Sequence, residues 1–206
     1  MVSRPGSTGR RERAKEDKRR RIMDAARALF AECGVGGVTT QRIADRADVA
    51  IGTLYLYAST KAELLILVQN EKFATAIDEG LRAAGAAVHA GGGAVASVLA
   101  LVEPVVACLR EQPENGRAYL QEIVFGDPVG PHCRDGLALA LRLESGIADI
   151  LARDAGNVPG EAAILARVIT AVIHVSTTAT LHLQDGLPEV LDDIRRQVGA
   201  VLRSPS

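Results

Sequence analysis

Apolar residues in this chain return every three or four positions. Ile22, Ala26, Leu29, Phe30 and Cys33 set the interval, and after Lys61 it continues with no strand-like alternation. A chain patterned this way buries its apolar surface by packing helix on helix. Composition agrees: 48% of the 206 residues are apolar and only 3% aromatic, a balance that suits helices better than an aromatic-rich sandwich. The length is enough for a substantial core, either as one large domain or as a small domain joined to a larger one.

Punctuation divides the pattern into about nine helices. The first is expected over 16–33, stopped by the glycines of "ECGVGG". Thr39 is placed to cap a short second helix with Ile43, Ala44 and Ala47 on one face. Asp48 ends that helix, and a third short one is expected over 50–57. Later helices are expected over 60–86, 93–111 with Pro104 bending it, a short segment within "PENGRAYLQEIVFGDP", 133–154, an apolar stretch at 160–184, and 187–203.

The third helix is the odd one. "DVAIGTLYLYASTK", residues 48–61, puts Gly52, Thr53 and two of the six aromatic side chains into one short helix, although Gly costs about 1 kcal/mol against Ala there. Two short helices joined by a tight turn and braced by a longer one make a helix-turn-helix. In such a unit the second short helix enters the DNA major groove, and a residue without a side chain lets its start approach closely. Thr53 offers a hydroxyl and a methyl to base edges, and tyrosine hydroxyls and Lys61 offer donors to phosphates.

The run "RIMDAARALFAECGVGGVTTQRIADRADVAIGTLYLYASTKAELL" resembles the DNA-binding module of the tetracycline-repressor (TetR) family of bacterial regulators. The likeness covers about 45 residues and several elements in order: Ala-Ala-x-x-Leu-Phe, Thr-Thr-x-x-Ile-Ala, Gly-Thr-Leu-Tyr-x-Tyr and Lys-x-x-Leu. It implies that Thr40 touches phosphate and Gln41 reaches toward bases. It also implies that Ala50, Ile51, Gly52 and Thr53 face the groove, with Tyr55, Tyr57 and Lys61 on the DNA backbone. Plainer roles stand beside these: Tyr57 packed between helices, Gln41 simply solvated, Ile51 at the groove mouth. Three residues depart from the family pattern, namely Asp48 where Gly is usual, Ala50 in place of a Ser cap, and Ala58 in place of Phe.

Charge is distributed to match. Residues 1–63 carry 13 basic and 8 acidic side chains while residues 64–206 carry 11 and 17, and residues 1–21 alone hold nine basic groups against three acidic. A basic head on an acidic body points to a polyanion partner for the head. The division expected is a basic flexible arm over 1–15, the helix-turn-helix domain over 16–60, and a helical effector-binding and dimerisation domain over 61–206. Cys33, Cys108 and Cys133 are widely spaced and spell neither a disulfide framework nor a zinc knuckle. The amino terminus lacks the apolar core of a secretory signal. Residues 83–102 are uncharged, but three glycines and His89 break them into two helices. A soluble, cytoplasmic protein without cofactor or metal is expected.

The resemblance further implies that the body encloses a small-molecule pocket, for which Phe73, Tyr119, Glu122, Phe125 and His174 are the candidates. It also implies that the last two helices pair with those of a second copy in a four-helix bundle. In the final helix Val190, Leu191, Ile194, Val198 and Leu202 form one apolar stripe, which needs a cover from this domain or from another copy. A two-fold dimer would set two recognition helices about 34–36 Å apart, one duplex turn. The expected function is a sequence-specific repressor of transcription, bound to double-stranded operator DNA as a homodimer and released by an effector, with the fourth helix as lever. Two rivals are a helical enzyme or metal protein using the body, and an architectural DNA protein using the arm. Against the first, no H-E-x-x-H, G-x-S-x-G, phosphate-loop, dinucleotide or E-x-x-H motif occurs, and His132, Cys133, His174 and His182 have no metal-ligand spacing.

Overall fold

The computed structural model describes residues 6–126, 130–153, 159–182 and 184–203. Among these the secondary structure is helical, with no strand: α1 (Gly6–Cys33), α2 (Thr40–Arg46), α3 (Ile51–Leu54), α4 (Lys61–His89), α5 (Ala94–Arg110), α6 (Pro113–Phe125), α7 (Pro131–Arg153), α8 (Pro159–Thr178) and α9 (Leu187–Arg203), with a short 3₁₀ turn at Thr180–His182. The chain forms two compact units that divide between Val68 and Gln69.

In the first unit α1 buries Ile22, Met23, Ala26, Leu29 and Phe30 and ends where Gly34 takes a left-handed φ of 66°. It begins ten residues before the expected start, so residues 6–15 are helix rather than a flexible arm, while residues 1–5 lie outside the described set. The cause is local. Arg19 pairs with Glu16 at 3.4 Å, Arg21 with Asp17 at 3.6 Å, and Arg20 with Asp17, and such pairs one turn apart support a helix that has no core to lie on.

Thr39 caps α2 by accepting from the Arg42 amide at 3.2 Å. α3 is shorter than the expected 50–57. Its continuation tightens into a turn in which Leu56 N–H bonds Thr53 C=O at 3.2 Å and Tyr57 N–H bonds Leu54 C=O at 2.9 Å, the 3₁₀ pattern that often closes a helix. α4 opens on a capping box: Thr60 Oγ1 accepts from Glu63 N–H at 3.0 Å, and the Glu63 carboxylate accepts from the Ser59 amide at 2.6 Å. The first two turns of α4, through Val68, belong to the first unit, so the boundary falls eight residues later than expected. Lys61 explains this, because its ammonium donates to Val35 C=O at 2.7 Å and Val38 C=O at 3.0 Å and ties the helix start to the loop after α1.

The second unit is built around α5, which contacts α6, α7, α8 and α9 and buries Val98, Leu101, Val102, Val105, Val106 and Leu109. Pro104 lies within it. Close approach is allowed by Gly80 of α4, where a Cβ would stand 2.2 Å from Leu101 C=O. The expected break at 154–158 lies outside the described residues.

The two last helices, both expected to pair with a second copy, differ in how far the chain itself covers them. Val190, Ile194 and Val198 of α9 are at most 1% exposed, with Leu191 and Leu202 half-buried, because α9 lays its stripe against α5 and α8 of its own chain. The stripe is therefore covered within the unit and is not the open dimer face expected of it. α8 is the opposite case: Ile164 is 66% exposed and Val175 58%, with Val168 and Ala171 also exposed between them. Among the described residues only the segment Gly160–Thr178 has the length and apolarity to cross a membrane, and a third of it is buried.

Candidate nucleic-acid interface

The turn between α2 and α3 is held by three devices. Asp48 adopts φ 51°, the left-handed geometry that Asp tolerates better than most residues, so it does serve where Gly is usual. Val49 N–H bonds back to Ala44 C=O at 3.0 Å. From α1, the Arg21 guanidinium donates to Asp48 C=O at 3.2 Å and to its carboxylate at 3.3 Å. Beneath the turn Ile43, Ala44, Ala47, Leu54 and Ala58 are buried, and this packing fixes the angle between the two short helices.

What remains outside is the start and one side of α3. Ala50 precedes the helix and gives it no side-chain cap, as its sequence predicts. It is exposed, Ile51 and Thr53 are half-exposed, and Gly52 is exposed with nothing within 4 Å of a notional Cβ. The space over Gly52 is therefore open to an approaching surface. Thr40 Oγ1 and Tyr55 Oη lie 3.3 Å apart, which joins the beginning of α2 to the end of α3 along one exposed edge. Gln41 is exposed and donates to Asp45 of its own helix at 2.7 Å.

Two predicted contacts are engaged elsewhere. The Lys61 ammonium serves the two loop carbonyls described above, and the Tyr57 hydroxyl donates to Lys15 C=O of α1 at 2.9 Å. Both hold the unit together. Sequence reasoning missed Leu56, 83% exposed beside Tyr55 in the turn after α3. It also missed Arg21, and Arg46, which pairs with Glu32 at 2.9 Å. The hydrogen bond from Arg46 holds the Glu32 carboxyl below its ordinary range.

Four of the five effector candidates fall into two pairs. Phe73 and Tyr119 are buried edge to face, 5.7 Å between centroids. The Tyr119 hydroxyl donates to Asn70 Oδ1 at 2.8 Å, and Asn70 Nδ2 donates to His132 C=O at 2.9 Å. Burial pushes the Tyr119 hydroxyl well above the usual phenol range. Phe125 and His174 stand 6.2 Å apart beside an open groove of about 210 Å³ that Arg117, Gln121 and Thr178 also line. Burial lowers the pKa of His174, which favours the neutral imidazole. Glu122 is half-buried on α6, and its backbone carbonyl accepts from Cys133 Sγ at 3.6 Å. Among the described residues no three His, Cys, Asp or Glu side chains gather as a metal site would require.

Residues 22–68 match the family pattern described as bacterial regulatory proteins, tetR family. This segment, which holds α2 and α3 and is under a quarter of the chain, is similar to the TetR family. Over 60 residues it is 42% identical to the HTH-type transcriptional repressor KstR of Mycobacterium tuberculosis, and over 64 residues 39% identical to the fatty acid metabolism regulator protein of Bacillus subtilis. These stretches make up 29% and 31% of this chain, and 27% and 33% of the two relatives. The sequence likeness to these relatives thus spans less than a third of this chain and about a third or less of their own length. Solved structures match over most of the length. A TetR transcriptional regulator from Rhodococcus sp. RHA1 superposes with a TM-score of 0.62 at 20% identity, covering 94% of this chain and 99% of that one. The fatty acid degradation regulator FadR from Bacillus halodurans gives 0.64 at 19%, covering 90% and 98%. At such identities they show the fold alone, shared over about nine tenths of this chain.

Proposed function

We propose that the chain is a sequence-specific transcriptional regulator, a repressor that binds operator DNA as a homodimer through α3 and loses affinity when a small molecule occupies its body. The observation that carries the reading is the exposed edge from Thr40 to Tyr55, with open space over Gly52. A helix presented this way, over a turn locked by Asp48 and Arg21, suits insertion into a major groove. Ala50, Ile51, Gly52 and Thr53 meet base edges, Gln41 exchanges its Asp45 partner for a base, and Thr40 and Tyr55 meet phosphates. The exposed Leu56 side chain suits a thymine methyl. That relatives with a similar domain are named transcriptional repressors supports the same conclusion.

A second copy covers α8 in this reading. Ile164, Val168, Ala171 and Val175 recur at intervals of four, three and four, a continuous exposed stripe of the kind that marks an interaction face. A two-fold partner supplies a self-complementary cover and the second recognition helix together. The effector acts by linkage, preferring the conformation that binds DNA poorly, with a coupling of about 1–3 kcal/mol. α4 is the lever, since one uninterrupted helix belongs to both units. The site of action is the cytoplasm, where bacterial DNA lies, and no chemical step is assigned.

Nuclease footprinting on the promoter next to the chain's own gene tests this. A discrete two-fold-symmetric protected site is expected, weakened by Thr53→Val and by Leu56→Ala at particular base pairs, each by about 1–3 kcal/mol. Uniform protection that shifts with neither variant would overturn it.

A further inference from the structure

The amino-terminal part of α1 projects beyond the core. From Gly6 to Ile22 it adds roughly 24 Å of helix at about 1.5 Å per residue, and residues 9–18 are all exposed. Its charges are ordered. Arg11, Lys15, Lys18, Ile22, Ala26 and Leu29 are spaced four, three, four, four and three apart and so form one stripe along the helix. The last three are buried on the side where α1 meets α2. The stripe therefore changes from apolar to cationic where the core ends, without leaving that side of the helix. None of the three cations pairs with a described residue, whereas Arg19, Arg20 and Arg21, nearer the core, all do.

A hydrogen bond ties the exposed part of this extension to the recognition segment, in addition to the bonds of Arg21 with Asp48 at its base. Tyr57, in the turn directly after α3, donates its hydroxyl proton to Lys15 C=O at 2.9 Å across 42 residues of sequence. A phenol has only one proton to give, so this hydroxyl is not a donor to phosphate while the bond stands. Its effect is to fix the direction of the arm relative to α3.

We propose that the extension of α1 is a second, rigid DNA-binding surface: Arg11, Lys15 and Lys18 engage backbone phosphates outside the groove entered by α3, and Tyr57 acts as the positioning residue that aims them. The inference rests on the operator reading above and adds to it a basic helix in place of a loose tail. The geometry suits the partner. The three cations span about 10 Å of helix, a length of duplex that carries about six phosphates. Because phosphates carry no sequence, the arm raises affinity for every duplex alike and leaves the choice of bases to α3.

The test is a thermodynamic cycle read by salt dependence. Operator affinity is measured against salt for the unaltered chain, for Arg11→Gln with Lys15→Gln and Lys18→Gln, for Tyr57→Phe, and for all four changes together. Gln is close to Arg and Lys in helix propensity, and circular dichroism checks that α1 persists. The triple variant should flatten the slope of log K against log salt by about 3 per protomer, about one per phosphate contact. It should weaken operator and scrambled duplex by the same factor. Tyr57→Phe should cause a partial loss of the same kind in the unaltered chain and no further loss in the triple variant. An unchanged slope in the triple variant overturns the proposal while operator binding stands. So does a Tyr57→Phe loss that persists in full in the triple background, which assigns Tyr57 to phosphate directly. An unaltered chain that binds no promoter DNA overturns the operator reading, and the arm with it.

Discussion

α8 and α9 pack against each other, yet they dispose of their apolar residues in opposite ways. α9 has one sharp stripe, and its own chain covers it: Ile194 and Val198 are completely buried. α8 is apolar nearly all round, and its own chain covers only part of it, leaving Ile164 and Val175 more than half exposed. A stripe opposite Asp192, Asp193, Arg195 and Arg196 states that a helix has one dry side. It does not state who keeps that side dry. An all-round apolar helix makes the stronger claim, because a single neighbouring layer cannot satisfy it.

That contrast can be broken by substitution. The largest effect is expected in α9, where Ile194→Ala should cost about 2–5 kcal/mol of stability by removing a fully buried side chain. Chemical denaturation reads it, and the self-association constant of the folded protein should stay as it was. Loss of association without loss of stability would return the dimer face to α9. The next effect belongs to α8. Ile164→Asp combined with Val175→Asp places charges where this chain leaves open surface, so each protomer should still fold. Association, followed by sedimentation, should weaken at least about tenfold, or about 1.4 kcal/mol. Unchanged association would mean that something other than a second copy covers this helix.

The smallest effect is electrostatic and sharpens the picture of the half-covered side of α8. Burial holds the His174 pKa below its ordinary value, so the unfolded chain takes up this proton at a higher pH than the folded one. The associated stability is present in full above about pH 6.5, the unfolded value, and is lost as pH falls through the depressed folded one. Thermal midpoints compared at about pH 7.5 and about pH 5.5 should show a smaller acid loss for His174→Gln than for the unaltered chain. Equal losses would place this imidazole in water.

Legibility followed how local the determining physics is. Thr39 as a cap, Asp48 as a left-handed turn and Gly34 as a stop are decided within a few residues, and each was readable. The run from Thr39 to Lys61 was also legible, because a helix-turn-helix needs small or turn-forming residues at fixed intervals. Partners distant in sequence were not. Nothing in the order of residues tells Lys61 to serve Val35 and Val38, or Tyr57 to reach Lys15. The helical arm was hidden for a related reason: a charged stretch without apolar period reads as disorder, although this one continues a helix whose following turns carry pairs of Arg and acid. Aromatic or polar character on an apolar helix does not single out an effector pocket, because the buried pair Phe73 and Tyr119 and the open pair Phe125 and His174 share it equally.

The central claim is that α3 reads bases. Fluorescence anisotropy at one fixed salt concentration compares the footprinted duplex with a scrambled duplex of the same length and composition. The account predicts a preference of about a thousandfold or more for the footprinted sequence, reduced by Thr53→Val. Equal affinity for the two duplexes, untouched by that substitution, would contradict it.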